Sequence, residues 1–395
     1  MTSKTLCPLP FMHQYINVTS GVTPCCHVFN SEDWPEQKLD FTKGIYTSSH
    51  KQMRKQMLGG IWPNICSKCK LQEQNNQKSH RQMALERFGF PKTKGIKYLD
   101  IAFSNKCNLA CRMCKPSDSS LLAELYEGET HLPEWVDAEW PPASEQQPDK
   151  KVTYVKKLIT EGLELLKVTG GEPFACKYFM SVIEWAIEKD YAKNLEINLT
   201  TNGTKINKTL INKLLKFKKV KLLLSIDGTG TVYNYIRHHA SWDKVYNNLK
   251  QLSKYSNIDL QVACLVMFHN TTNVVDLIYK CAELNISVYV DQYIKPVTTP
   301  ITPYHIDENI KSILLKQVSK LEEDVEHWKD SLVKYHALSG AKSLYNIAMS
   351  KPVNEGIKTK LVDTLALQDK LYNTNYKDFL QSEQINYLEG ATNNV

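Results

Sequence analysis

Residues 103–114 read Phe-Ser-Asn-Lys-Cys-Asn-Leu-Ala-Cys-Arg-Met-Cys, a C-x3-C-x2-C spacing of Cys107, Cys111 and Cys114 directly after the apolar run Ile96–Phe103. Three thiolates on one short loop can hold three irons of a cubane [4Fe–4S] cluster, whereas full capping of such a cluster needs four cysteines. One iron is left for a ligand to complete, and an open metal position separates a reactive site from a closed structural one. A zinc site usually takes four ligands in C-x2-C pairs, and a disulfide framework belongs to small secreted chains. Neither suits three cysteines on one loop.

Downstream of Gly95, short β-rich runs alternate with amphipathic helical stretches. Ile96–Phe103, Glu164–Val168, Leu195–Thr200, Val220–Ile226, Leu260–Met267 and Ile286–Gln292 read as strands. Alternation of this kind argues for a parallel sheet with helices packed outside it. Three of the strands run into polar residues and glycine: Thr169-Gly170-Gly171-Glu172-Pro173, Thr200-Thr201-Asn202-Gly203 and Ser225-Ile226-Asp227-Gly228. Ligands in parallel α/β sheets bind at the carboxyl ends of strands. Paired glycines let a backbone come close to a ligand, and Glu172 offers acceptors for an ammonium group.

The cysteine spacing and these strand ends resemble the radical S-adenosylmethionine (SAM) superfamily over roughly residues 5–295. The resemblance implies an open, partial (β/α)6 barrel in the α/β class. It also implies a [4Fe–4S] cluster on Cys107, Cys111 and Cys114 whose free iron chelates the amino and carboxylate groups of SAM. One electron then splits the sulfonium to a 5′-deoxyadenosyl radical. On the same resemblance, Gly170, Gly171 and Glu172 bind the SAM amino group, and Thr201, Asn202, Ser225 and Asp227 meet the ribose or the carboxylate. Arg237, in Tyr235-Ile236-Arg237, pairs with that carboxylate, for which a guanidinium fork is suited. Met113 stands where relatives commonly carry an aromatic residue, so adenine contact there is expected through thioether and backbone.

Ahead of the barrel, Cys7, Gly21-Val22-Thr23-Pro24-Cys25-Cys26 and Cys66-Ser67-Lys68-Cys69 resemble the SPASM and twitch extensions that hold auxiliary iron–sulfur clusters. Those extensions usually follow the barrel, and the single-cluster twitch form matches the number of thiols here. Cys7, Cys25, Cys66 and Cys69 would close a cluster, with Cys26 an alternative to Cys25, and four thiolates also satisfy a structural zinc. Glu73, Ser79 and Arg81 follow at a spacing that resembles relatives and suits them to orient the module. Cys176, Cys264 and Cys281 remain; a thiol in the barrel lumen can donate a hydrogen atom, but buried cysteines are mostly inert.

Helical stretches outside the barrel are also legible. Ser48–Leu58 reads as a helix stopped by Gly59-Gly60, and Glu134–Lys151 as a polar, Pro-containing surface loop. Asp307–Leu388 carries Lys, Glu and Leu at helical spacing. The expected division is 1–90 auxiliary module, 91–298 barrel and 299–395 helical carboxy-terminal region.

With 395 residues, 42% of them hydrophobic, the chain has ample material for a core. No segment approaches 18 uninterrupted apolar residues and no signal-peptide run opens the chain, so a cytoplasmic protein without a membrane partner is expected. Eleven cysteines without an export signal fit metal ligation better than disulfides. The formal charge of +7 is spread over solvated faces, and no RNA-binding signature argues for nucleic acid. The expected partners are a flavodoxin or ferredoxin as electron donor and a peptide or protein substrate, since relatives with auxiliary clusters mostly modify peptides. A small metabolite or nucleoside is the alternative substrate, and a non-catalytic iron–sulfur carrier the alternative class.

Overall fold

All six expected strands are present in the computed structural model, each within two residues of its predicted bounds. The structure describes residues 4–28, 34, 40–75, 77–90, 95–130, 132, 136, 146–291 and 300–392. In chain order the strands are β1 (His13–Ile16), β2 (Val22–Thr23), β3 (Tyr98–Ala102), β4 (Ala110–Cys111), β5 (Leu165–Thr169), β6 (Glu196–Thr201), β7 (Lys219–Ser225), β8 (Arg237–His238), β9 (Ile258–Leu265) and β10 (Ser287–Asp291). The architecture is a mostly parallel α/β sheet with helices and a helical carboxy-terminal region, and no barrel closes among the described residues. The chain divides into two compact units: Met1–Asn105 with Pro141–Leu199 and Lys213–Lys219, and Lys106–Trp140 with Thr200–Asn212 and Val220–Val395.

In the first unit β3 lies between β5 and β1 and is parallel to both, with Tyr98 opposite Leu165 on one side and His13 on the other. β5 pairs in parallel with β6, and β2 runs antiparallel to β1. The amino-terminal segment, read from its cysteines as a metal-organised module, therefore also extends the sheet. Its strand is held by Gln14, whose Nε2 donates to the Phe41 carbonyl (2.7 Å) and whose Oε1 accepts from the Tyr154 hydroxyl (2.8 Å). Ser48–Leu58 is helical and stops at Gly59 as expected.

The Glu134–Lys151 reading needs correction at its end. Residues 134, 135 and 137–145 lie outside the described residues, but Pro148–Thr160 is a helix with proline in its first turn, where a missing N–H costs nothing. Lys151 on that helix is fully buried rather than on a surface loop. Its ammonium donates to the carbonyls of Asn17, Val18 and Ala102 at 2.9, 2.8 and 2.8 Å. These bonds pin the carboxyl end of β3 just before the cysteine loop begins.

In the second unit β9 lies between β7 and β10, parallel to each. β4 and β8 form a separate antiparallel ribbon, Ala110 opposite His238 and Cys111 opposite Arg237. The carboxy-terminal region folds as helices Glu308–Val325, Ser331–Ala348, Glu355–Tyr372 and Ser382–Thr392. The first three start at Asp307, Asp330 and Asn354, whose side chains accept from backbone N–H groups of the first turn. Gly340 allows Ser331–Ala348 to press on β10: a Cβ there would stand 2.9 Å from Val290 Cγ2.

His269, in the same unit, is buried beside Tyr235 and Phe268, and neither ring nitrogen has a hydrogen-bond partner. Burial, aided by the Arg112 charge, pushes its imidazole down to about 3 from the usual 6.5. Between those two values the unfolded chain binds the extra proton, so stability falls as pH drops through that window and is level above it. Each such group contributes a slope of about 1.4 kcal/mol per pH unit. His269→Phe is expected to flatten the fall of the urea midpoint between about pH 6.5 and 4. An unchanged acid slope would show that His269 is protonated in the folded protein.

Candidate functional site

The cysteine loop is built into the second unit by β4 and the helix Ser120–Leu125. Arg112 N–H donates to the Ile236 carbonyl (2.9 Å), Cys114 N–H to the Cys111 carbonyl (3.0 Å), and the Ser119 hydroxyl to the Leu109 carbonyl (2.7 Å). Cys111 is buried, while Cys107 and Cys114 are half-buried. A hydrogen bond from Cys114 and the nearby Arg237 guanidinium hold the Cys111 thiol below its ordinary range, and the same bond pushes Cys114 up. A thiol biased toward thiolate is the form a metal requires.

Most of the strand-end residues expected to meet SAM have protein partners in this unit. Arg237 is buried on β8, with Nη2 2.6 Å from Asp227 Oδ2 and Nη1 donating to Cys111 Sγ at 3.7 Å. Its Nε is buried without a partner, a donor that a bound ligand would satisfy. Asp227 also accepts from Leu265 N–H (2.8 Å), and burial pushes its carboxyl up against the opposing effect of Arg237. Asn202 Nδ2 donates to Asn108 Oδ1 (3.1 Å), and Asn108 Nδ2 to Thr204 Oγ1 (2.9 Å). Asn202 is thus tied to the loop that carries the cysteines, through Asn108, whose part the sequence reading missed. Thr201 is buried and accepts from Gly203 N–H at 3.1 Å, and Ser225 is half-buried at the end of β7. Met113 packs with Val232, Ile236 and Met267.

In the first unit the turn after β5 packs on the end of β3. Gly170 has φ +84°, and a Cβ there would stand 2.6 Å from Ala102 Cβ and 3.2 Å from the Ser104 carbonyl. A side chain at this position would therefore clash with the end of β3, a second demand for glycine that the sequence reading did not include. Gly171 N–H donates to the Ser104 carbonyl at 3.3 Å. Glu172 is buried, and one carboxylate oxygen accepts from Phe174 N–H (3.0 Å). Gly171 and Glu172 line a small cavity with Ser104 and Cys176, whose hydroxyl and thiol are 3.5 Å apart. Cys264 and Cys281 are fully buried, and burial pushes Cys281 up to about 12, as expected of inert core thiols.

Cys7, Cys25, Cys66 and Cys69 line one pocket of the first unit, while Cys26 does not. Cys26 instead groups with His27 and His80, their ligand atoms within 4.8 Å of one another. Burial pushes Cys7 and Cys66 up to about 12 and Cys25 well up, and neighbouring thiols add to it. Four thiols lining one pocket are the donor type that a thiolate metal or iron–sulfur centre takes. Glu73 fixes the surroundings: it accepts from Ser79 Oγ (2.5 Å) and takes the Arg81 fork at 2.8 and 2.6 Å. Arg81 Nη1 reaches the carbonyl of Leu6, next to Cys7, at 2.8 Å. Glu73, Ser79 and Arg81 thus form one hydrogen-bonded group next to Cys7.

Residues 101–287 match the family described as the radical SAM superfamily. Molybdenum cofactor biosynthesis protein 1 of Dictyostelium discoideum is 27% identical over 172 residues, 43% of this chain and 24% of that protein. A GTP 3′,8-cyclase of Campylobacter jejuni is 26% identical over 183 residues, 46% and 48% of the two chains. The sporulation killing factor maturation protein SkfB of Bacillus subtilis is 23% identical over 190 residues, 48% and 40%. The chain spans a quarter to a half of the length of these relatives. Among solved structures, Streptococcus suis SuiB bound to S-adenosylmethionine is 17% identical with a TM-score of 0.38, covering 72% of this chain and 58% of that one. No helix among the described residues is long and apolar enough to cross a membrane.

Proposed function

We propose that the radical SAM domain of residues 101–287 cleaves SAM reductively at a [4Fe–4S] cluster held by Cys107, Cys111 and Cys114, and takes hydrogen from a peptide or protein side chain. The observation that carries the first half is the three-thiol loop, with Cys111 buried and its sulfur receiving Arg237 Nη1 at 3.7 Å. With a cluster on Cys107, Cys111 and Cys114 and SAM bound, the site would supply one-electron reductive cleavage of SAM, with the electron coming from a flavodoxin- or ferredoxin-class donor and the hydrogen atom from the substrate. This chain's own residues hold and orient. Gly170, Gly171 and Glu172 are assigned to the SAM amino group, Thr201, Asn202, Ser225 and Asp227 to the ribose or the carboxylate, and Arg237 to the carboxylate, with Met113 near the adenine. Asn202 and Arg237 have a further duty, since their side chains bond the cysteine loop at Asn108 and Cys111.

Residues 1–90 are assigned as an auxiliary cluster module on Cys7, Cys25, Cys66 and Cys69, supported by the pocket these thiols share. A closed centre of this kind suits electron relay or structural support. Residues 91–298 are then the reaction domain and 299–395 its helical extension. The auxiliary module favours a peptide substrate. The likeness to GTP 3′,8-cyclases favours a second reading, a nucleotide-like small metabolite.

Deuterium transfer separates the two. With reduced, anaerobically reconstituted protein, label is expected to enter 5′-deoxyadenosine from deuterated peptide. Label arriving from a nucleotide or sugar, and never from peptide, would overturn the first reading. Absence of any SAM cleavage would instead favour a non-catalytic iron–sulfur carrier.

A further inference from the structure

We infer that Arg112, between the second and third cysteines of the loop, is the positioning residue through which the carboxy-terminal helix Glu355–Tyr372 holds the SAM-cluster site in register. The inference rests on the reading of that loop as a cluster site, and deepens it. Arg112 is the largest kind of charged side chain and is only 1% exposed. All of its partners lie in the same unit. Its Nε donates to the Tyr235 carbonyl (2.8 Å), and its Nη2 to Asp369 Oδ1 (2.9 Å) and Thr374 Oγ1 (2.6 Å). The guanidinium carbon lies 3.5 Å from the centre of the Tyr235 ring and 4.7 Å from that of Tyr372. Gln368 closes the circuit by donating to the Arg112 carbonyl at 2.9 Å.

The contacts reach both strands of the β4–β8 ribbon. Asp369 accepts from the Tyr235 hydroxyl at 2.9 Å, and the Tyr372 ring stacks on His238 at 4.6 Å and 10°. One strand of that ribbon ends in Cys111 and the other begins with Arg237, the two residues opposite each other in register. A single helix therefore grips the backbone of Arg112, next to Cys111, and the strand of the guanidinium that touches the Cys111 sulfur. A buried ion pair is weak evidence for stability, because desolvating both charges offsets most of their attraction. Its geometric consequence is firmer: a planar fork with fixed donors, stacked on an aromatic ring, admits one orientation of the loop. An ammonium at the same place has neither the fork nor the plane.

The test uses full-length protein with its clusters reconstituted, comparing Arg112→Lys, Asp369→Asn and the milder Thr374→Val. Two readouts are taken: the SAM-induced change in the electron paramagnetic resonance signal of the reduced cluster, and iron release to a chelator without SAM. Arg112→Lys and Asp369→Asn are expected to need at least tenfold more SAM for the spectral change and to lose about half the iron at least tenfold faster. Thr374→Val, which removes the hydroxyl's bonds to Arg112 and Asp369 but keeps the ion pair, should give a smaller shift in the same direction while folding normally. Retention of charge in Arg112→Lys should not rescue either readout. Variants that only melt earlier, with parental SAM response and parental iron release, would overturn the inference. Should the parent hold iron yet show no SAM response, the radical SAM reading fails, and Arg112 is judged on iron release alone.

Discussion

Replacing Cys111 by alanine is expected to lower conversion of SAM to 5′-deoxyadenosine and methionine by at least ~10³-fold, equivalent to ~4 kcal/mol of barrier. Three thiolates are the fewest that hold a cubane with one open iron, so losing one removes the geometry in which SAM is reduced. Cys111 is the most consequential of the three: it is the buried one, it is biased toward thiolate by Cys114, and it receives Arg237. Iron and sulfide counts give the companion measurement. Two cubanes correspond to about eight of each per chain, and a triple change at Cys107, Cys111 and Cys114 should leave about four, with the auxiliary signal intact by electron paramagnetic resonance. Zinc in place of that residual iron would make the amino-terminal centre a structural zinc site. A Cys111→Ala protein that cleaves SAM as fast as the parent would end the assignment of the loop.

The parts of this chain that could be read from its sequence are those governed by local chemistry. The six strands are short apolar runs stopped by glycine and polar residues, and the cysteine spacing is confined to eight residues, so neither needs distant information. β1 escaped because His-Gln-Tyr-Ile is only four residues long and two of its side chains are polar; Gln14 is buried there because Phe41 and Tyr154 satisfy it. At Gly170 the close packing was not legible, since a sequence cannot reveal that Ala102 and Ser104 crowd it. Arg112 carried no signal at all. In a sequence it is a charged residue among cysteines, and its ion-pair partner Asp369 lies 257 residues further on. Lys151 misled for the same reason, being read as solvated when carbonyls from residues 17, 18 and 102 enclose its ammonium.

Arg237→Met is expected to destabilise the protein by ~3–5 kcal/mol, because it strands the Asp227 carboxylate in a buried site. Asp227→Asn should cost a similar amount by leaving the guanidinium unpaired, although its remaining carbonyl oxygen still serves Leu265 N–H. Combining the two removes both charges, and the double variant should recover to within about 1–2 kcal/mol of the parent in urea unfolding. Activity is expected to part company with stability at this point. If the guanidinium steadies the Cys111 thiolate and meets the SAM carboxylate, the refolded double variant remains inactive, since neither duty can be taken up by methionine. Full recovery of SAM cleavage together with stability would reduce Arg237 to a counter-ion for Asp227. A single Arg237→Met variant as stable as the parent would mean that Asp227 is protonated in the folded protein, in keeping with the upward push of burial on its carboxyl.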